Sequence, residues 1–275
     1  MKEVNPLYGA LGGDMIGSIY EWRNHKSKEF ELVRRNCNFT DDSIMTLASA
    51  QAILDGDFDY AMKYHTWGNN YPGAGYGGSF RRWLETPVGQ IAPYNSWGNG
   101  SAMRVSPVGF AFDTEAEVLS QAEKSASVTH NHPEGIKGAQ ATALAILLAR
   151  KGLDQNAIQS RIEHDFGYDL STPLDDIRPT YRFDVSCQGT LPVAIRAFLE
   201  ATSYEDAIRN AISVGGDSDT VAAITGGIAL AFFKEMPDTL VTEIERRLLP
   251  DMRETCERFA KAFTSENRAF SKKLF

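Results

Sequence analysis

The chain has 275 residues, 43% hydrophobic and 23% charged, ordinary globular values that exclude a disordered, collagen-like or low-complexity protein. With 28 basic against 36 acidic residues the net charge is −8 and no basic stripe is present, so duplex nucleic acid is not an expected partner. No linker interrupts the sequence, and a single domain over residues 1–275 is expected.

Strict apolar/polar alternation is nearly absent, while helical spacing recurs, so the fold is expected to be all-α. In chain order, the glycines Gly9, Gly12, Gly13 and Gly17 surround Asp14. Their spacing misses the dinucleotide fingerprint, and a small-residue helix crossing with a buried, hydrogen-bonded Asp14 is the plainer reading. Residues 43–54 put Ile44, Leu47 and Ala48 on one stripe, with Thr40-Asp41-Asp42 as N-cap chemistry before them and Gly56 as the stop. A helix over 135–150 follows Pro133, and 170–183, with two prolines and no periodicity, reads as a surface loop. An amphipathic helix is expected over 204–212 and an almost wholly apolar one over 220–234, directly after Gly215-Gly216-Asp217-Ser218-Asp219 and stopped by Pro237. The charged stretch 239–263 has the pattern of one outer helix. Glycines at 9–17, 68–78, 98/100 and 215/216 read as loop positions of close backbone approach. Cys37, Cys187 and Cys256 are odd in number and far apart, the pattern of reduced thiols. No basic segment opens the chain, and the apolar run 221–233 is too short for a bilayer. A cytoplasmic location without membrane contact is expected.

Four constellations carry chemistry. Thr40-Asp41-Asp42 and Asp217-Ser218-Asp219-Thr220 each open an apolar helix. One such cluster is explained by capping; two together favour a divalent-cation site, because crowded carboxylates repel unless cations sit between them. Trp97-Gly98-Asn99-Gly100-Ser101-Ala102-Met103-Arg104 can turn backbone N–H groups onto a phosphate, although a tight turn before a structural Arg104 explains it better taken alone. Thr129-His130-Asn131-His132-Pro133 fits ligand contacts or a solvated turn equally well. The glycine-rich segment 9–17 is followed by Glu21.

Taken along the chain, the Gly9 to Glu21 segment, Thr40-Asp41-Asp42, Gly75-Tyr76-Gly77, the Gly98 to Arg104 loop, Thr129-His130-Asn131-His132-Pro133 and Gly215-Gly216-Asp217-Ser218-Asp219-Thr220 resemble the ADP-ribosylglycohydrolase family, which includes the dinitrogenase reductase-activating glycohydrolase and the ADP-ribosyl-acceptor hydrolases. The similarity runs from Gly9 to about Pro237. It implies an all-α, multi-helix fold with a dinuclear metal site at helix ends, two Mg²⁺ ions (Mn²⁺ as substitute) held by Thr40, Asp41, Asp42, Asp217, Asp219 and Thr220. The implied reaction is hydrolysis of the ribosyl C1″ bond of an ADP-ribosyl conjugate, on a protein side chain or related acceptor, with Glu21, Asp41 and Asp42 catalytic. The resemblance further implies substrate contacts from Tyr76, Gly77, Ser96, Gly98, Asn99, Gly100, Ser101, Met103, His130 and Gly216. Position 79 is Ser, and Gly75-Tyr76-Gly77-Gly78 has no acid where some arginine-specific relatives carry an Asp, so the acceptor stays open. A free ester such as O-acetyl-ADP-ribose, or a non-catalytic ADP-ribose-binding relative, is the alternative. A terpene-synthase-like DDxxD site fails because Met45 stands where its last acid belongs.

Overall fold

The scarcity of alternation has its structural counterpart: the computed structural model describes residues 4–264, and they are mostly helical, with one isolated bridge, Gly98 to Ser186, as their extended pairing. The centre is a crossing of two helices, α1 (Tyr8–Gly17) and α13 (Ser218–Phe233). All ten residues of α1 are buried, and so is α13 from Ser218 through Ala231. Glycine makes the crossing possible: a Cβ on Gly13 would lie 2.0 Å from the Ala222 carbonyl oxygen, and one on Gly226 would lie 2.2 Å from that of Gly9. Gly9 to Gly17 are therefore helical, not loop residues, and their absent side chains bring two backbones into contact. Gly68 is helical too, in α3 (Tyr60–Asn70), where it packs against Leu84.

Around this crossing stand α2 (Asp41–Asp55), α8 (Pro133–Arg150), α11 (Cys187–Leu199) and α12 (Tyr204–Ser213). The expected helices over 43–54, 135–150, 204–212 and 220–234 all appear, each starting a little earlier or ending close to the expected residue. Helix α8 is buried from Ala141 to Ala149, and each large aliphatic there contributes roughly 1.5–3 kcal/mol by leaving water. Residues 170–183 are mostly loop, yet Leu170 and Leu174 are buried and Leu174–Ile177 forms one helical turn, α10. The stretch 239–263 is two helices, α14 (Asp238–Arg247) and α15 (Pro250–Phe263). Pro250 forces the preceding residue out of the helical region and takes the N1 position of the second helix. The three cysteines are free and buried, and no helix among the described residues is long and apolar enough to cross a membrane.

Candidate active site

The site forms where α1, α2 and α13 meet. Asp14, on α1, reaches the start of α2: its Oδ2 accepts from the backbone N–H of Thr40 (2.9 Å) and of Ser43 (3.1 Å), and its Oδ1 accepts from the Thr40 hydroxyl (2.6 Å). The Ser43 hydroxyl also donates to Asp14. Asp14 thus serves the Ser43 amide while the Thr40 hydroxyl caps that of Asp42 (3.4 Å), and the carboxylates of Asp41 and Asp42 are left for other work. The Asp41 N–H donates to the Ala74 carbonyl (2.9 Å), fastening the 74–77 turn beside it.

At α13 the N-cap residue Asp217 makes no capping bond; its Oδ2 instead accepts from the Asn99 amide (2.7 Å). Asp219 follows on the first turn, held close to α1 because Gly17 has no side chain: a Cβ there would lie 2.5 Å from the Asp219 Cα. The Thr220 hydroxyl bridges the two helix starts by donating to Asp42 Oδ2 (3.3 Å). The other oxygen, Asp42 Oδ1, is buried and has no hydrogen-bond partner.

Carboxylate oxygens converge here in two overlapping groups, Asp14 with Asp42 and Asp219, and Glu21 with Asp217 and Asp219, each within 4.8 Å. The electrostatic consequence is large. Burial first, and then Asp219, Asp14 and the other acids, drive Asp42 well above the usual carboxylate range; burial followed by Asp217 and Glu21 does the same to Asp219. Asp41 is pushed up to about 8 by burial and then by Asp14. Asp14 rises only to about 6, because bonds from Ser43 and Thr40 oppose its burial. Glu21, half-buried, rises to about 7 through burial and then the Asp217 charge, with a hydrogen bond from the Trp22 side chain pulling the other way. Hard oxygen donors, mutual repulsion and an orphaned inward oxygen are the properties of a divalent-cation site, and the residues present fit such ions.

Beside the acids lies the loop expected to face a nucleotide. The Ser96 hydroxyl accepts from the Gly98 N–H (3.1 Å), and the Asn99 N–H donates to the Val185 carbonyl (2.7 Å). The ring of His130 sits against this loop, its Nε2 3.1 Å from where a Gly100 Cβ would be; its Nδ1 pairs with the Thr129 hydroxyl (2.7 Å). Burial drives the His130 imidazole well below its usual pKa, so it is neutral at physiological pH. Met103 is buried, with its sulfur 4.0 Å from the Thr220 hydroxyl. Gly216, at φ +74°, donates its N–H to Asn24 Oδ1 (3.3 Å), and a side chain there would strike the Tyr181 ring. Tyr76 is buried near Asp41 with its hydroxyl unpartnered, and Gly77 caps α4 (Gly78–Glu85). Ser101 is the exception to ligand chemistry, since its hydroxyl donates to the Gly135 carbonyl (2.7 Å) inside the core. Arg104 is structural, donating to the Ser125 carbonyl and the Thr129 hydroxyl with its guanidinium 4.1 Å over the Tyr64 ring.

Against known families, residues 4–269 match the model of ADP-ribosylglycohydrolase. The chain belongs to the ADP-ribosylglycohydrolase family. It is 28% identical to the ADP-ribosylhydrolase ARH3 of Homo sapiens, with 82% of this chain and 84% of that protein aligned. It is 26% identical to the ADP-ribosylarginine hydrolase Tri1 of Pseudomonas putida (strain GB-1), covering 82% of this chain and 69% of that one. A solved structure described as an ADP-ribosylglycohydrolase-related protein complex superposes with a TM-score of 0.72 over 94% of this chain and 97% of its own, at 24% identity, which speaks for the fold. Membership makes the chain a glycohydrolase, and the acidic cluster described above is its candidate centre. Sequence reasoning placed Asp14 as structural. It is that, but it also adds a carboxylate to the cluster with Asp42 and Asp219. The available signal was a lone acid on an otherwise glycine and apolar helix.

Proposed function

We propose that this chain is a divalent-metal-dependent hydrolase of one domain over residues 1–275, which cleaves the ribosyl C1″ bond of an ADP-ribosyl conjugate and releases ADP-ribose. The observation that carries the reading is the buried, unpartnered Asp42 Oδ1 where acids from α1, α2 and α13 converge. Thr40, Asp41, Asp42, Asp217, Asp219 and Thr220 hold two Mg²⁺ ions, or Mn²⁺ in their place. When bound, these cations let the carboxylates stay ionised together, offset the charge of an anionic ligand and orient the ribose hydroxyls.

Breaking the C1″ bond develops positive charge on the ribose, which the carboxylates of this wall stabilise, while the leaving acceptor takes a proton and water loses one. Glu21 suits the proton work by its place, half-buried beside Asp217 and Asp219 at the edge of the acidic groups. The Ser96, Gly98, Asn99 and Gly100 loop receives the pyrophosphate, with Tyr76, Gly77, Met103, His130 and Gly216 shaping the rest of the ADP-ribose pocket. The neutral His130 ring contacts the ligand as a hydrogen-bonding, uncharged surface. The acceptor is an ADP-ribosylated protein side chain or a related group, and the free, buried thiols support a cytoplasmic setting.

The test is a panel of conjugates, ADP-ribosylated on serine, on arginine and as O-acetyl-ADP-ribose, incubated with Mg²⁺ or Mn²⁺ and with EDTA. ADP-ribose released from a protein conjugate only when the metal is present is the expected result. Rates unchanged by exhaustive chelation overturn the metal reading, and cleavage of O-acetyl-ADP-ribose alone moves the substrate to the free ester.

A further inference from the structure

Trp22 is 79% exposed, more than any other large apolar side chain among the described residues, and it follows Glu21 directly. Its ring does not stand alone. It stacks on Phe183, itself 42% exposed, with centroids 5.0 Å apart and planes at 18°. Two exposed aromatics from segments 161 positions apart are thus paired on the surface rather than in the core. The chain around them is not helical: residues 18–24 are successive turns, so no regular backbone ladder fixes the direction of Glu21. What fixes it is a set of ties to the same neighbours. Asn24 Oδ1 accepts from the Gly216 N–H (3.3 Å), and the Lys26 ammonium donates to the Tyr181 carbonyl (2.7 Å) and to that of Val214. Those ties hold the segment downstream of Glu21, and the buried Tyr20 holds it upstream. Between them the side chain of Trp22, the chain neighbour of Glu21, reaches across to the opposite loop and stacks on Phe183.

We propose that Trp22 is a positioning residue for Glu21, and that Phe183 is the backstop that holds the indole in place. The clasp joins the segment carrying Glu21 to the loop before α11, and through that loop to Val185, whose carbonyl accepts from the Asn99 N–H of the nucleotide-facing loop. It acts through Glu21 and does not bind the ADP-ribose. This inference rests on the role given to Glu21 under the proposed function.

The experiment uses the full chain with Trp22→Ala, Phe183→Ala, the double variant, Trp22→Phe and Phe183→Tyr. On the conjugate that the wild type cleaves, Trp22→Ala and Phe183→Ala each lower kcat about tenfold or more while KM and the calorimetric affinity for ADP-ribose stay within about twofold. The double variant is no worse than Trp22→Ala, because both changes remove one unit. Phe183→Tyr and Trp22→Phe, which both keep an aromatic stack, stay close to the wild-type kcat. A raised KM at unchanged kcat makes Trp22 a substrate contact and overturns the proposal, as do additive losses or an unaltered kcat. An arm independent of activity is amide hydrogen exchange: residues 18–24 exchange faster in both alanine variants, with the rest of the chain unchanged. Unchanged exchange in that segment overturns the clasp. A wild type that cleaves no conjugate overturns the proposed function, and the exchange result still decides the clasp by itself.

Discussion

The outer helices and the helices of the site begin differently, although their sequences use the same residue types. Helix α7 (Glu115–Ser127) starts with a reciprocal box in which the Thr114 hydroxyl accepts from the Glu117 N–H and the Glu117 carboxylate accepts from the Thr114 N–H, both 3.2 Å. At α9 (Gln155–Phe166), Asp154 accepts from the Ala157 N–H (2.8 Å), and at α12 Ser203 accepts from the Asp206 N–H (3.1 Å). Each of these caps serves its own helix. At α2 the Thr40 hydroxyl takes the Asp42 N–H (3.4 Å) and the distant Asp14 takes that of Ser43, so neither Asp41 nor Asp42 serves as the cap, and at α13 Asp217 turns to Asn99. An acid at a helix start is a cap when its own amides reach it. It becomes available for a cation when another residue has taken them, or when it has turned away.

The sharpest way to break this comparison is Asp219→Ala. If Asp219 holds a cation, conjugate hydrolysis falls by at least about 100-fold, since even residues that merely support metal ligands commonly cost 10–100-fold. Removing one of several crowded carboxylates leaves metal-free stability equal or higher. The Mg²⁺-induced rise in Tm shrinks with it, because that rise measures affinity for the folded state. An equal loss of stability with and without Mg²⁺, with activity retained, would show Asp219 to be a cap after all.

Next in size is the crossing that brings the acids together. Gly17→Ala puts a methyl 2.5 Å from both the Asp219 Cα and the Ser218 carbonyl oxygen, so α13 must move. Stability falls by about 1–3 kcal/mol as in other overpacked cores, and the shift carries Asp219 away from Asp14 and Glu21. Metal affinity and activity therefore drop together. Gly56→Ala, at an exposed left-handed cap with open space around it, strains its own helix end but leaves metal affinity untouched.

The same contrast shows what was legible in the sequence. The long apolar helices announced themselves because burial leaves periodicity or near-continuous apolar runs, and α13 did so over most of its length. The residues proposed to hold metal were visible as two Thr/Asp clusters at helix starts, and Asp42, Asp217 and Asp219 from them fall in the converging acidic groups. Asp14 was legible only as buried, because its second role depends on where α2 and α13 end up. Gly9 to Gly17 allowed two readings, loop glycines and a small-residue helix crossing, and the crossing is what forms; a glycine that frees φ and a glycine that lets a backbone approach look alike in one dimension. The break at Pro250 in the C-terminal stretch was hidden by uninterrupted amphipathic spacing on either side. The Trp22–Phe183 pair, stacked across 161 positions, leaves no local mark at all.

A third test reads the buried acids through pH. Their folded-state pKa values lie above the unfolded ones, about 6 for Asp14 and about 8 for Asp41, with Asp42 and Asp219 also well raised. Above the unfolded value of about 4 the unfolded chain has already lost protons that the fold retains. The share of metal-free stability set by these acids is therefore full below about pH 4 and declines as pH rises through 6 towards 8. Denaturant titrations in EDTA across that range show the decline, and Asp42→Asn flattens it. Saturating Mg²⁺ removes it as well, because ionised carboxylates are then the favoured form. A flat metal-free profile would mean that the acids are not electrostatically frustrated.

The smallest effect belongs to the ordinary caps, and it calibrates the rest. Asp154 is exposed, accepts from Ala157 N–H of its own helix, and has no buried acid beside it. Asp154→Ala should cost about 0.5–2 kcal/mol. In a protein of this size that is a Tm loss of roughly 2–4 °C per kcal/mol. The loss has the same magnitude in EDTA and in Mg²⁺, because nothing at α9 changes when cations bind elsewhere, and kcat and KM stay at wild-type values. Asp154→Asn recovers most of the stability, since an amide oxygen caps about as well as a carboxylate. The same change at Asp219 should fail to restore activity, because a neutral amide supplies the oxygen but not the charge that a divalent cation requires. Restored hydrolysis in Asp219→Asn would erase the distinction between the two kinds of helix start.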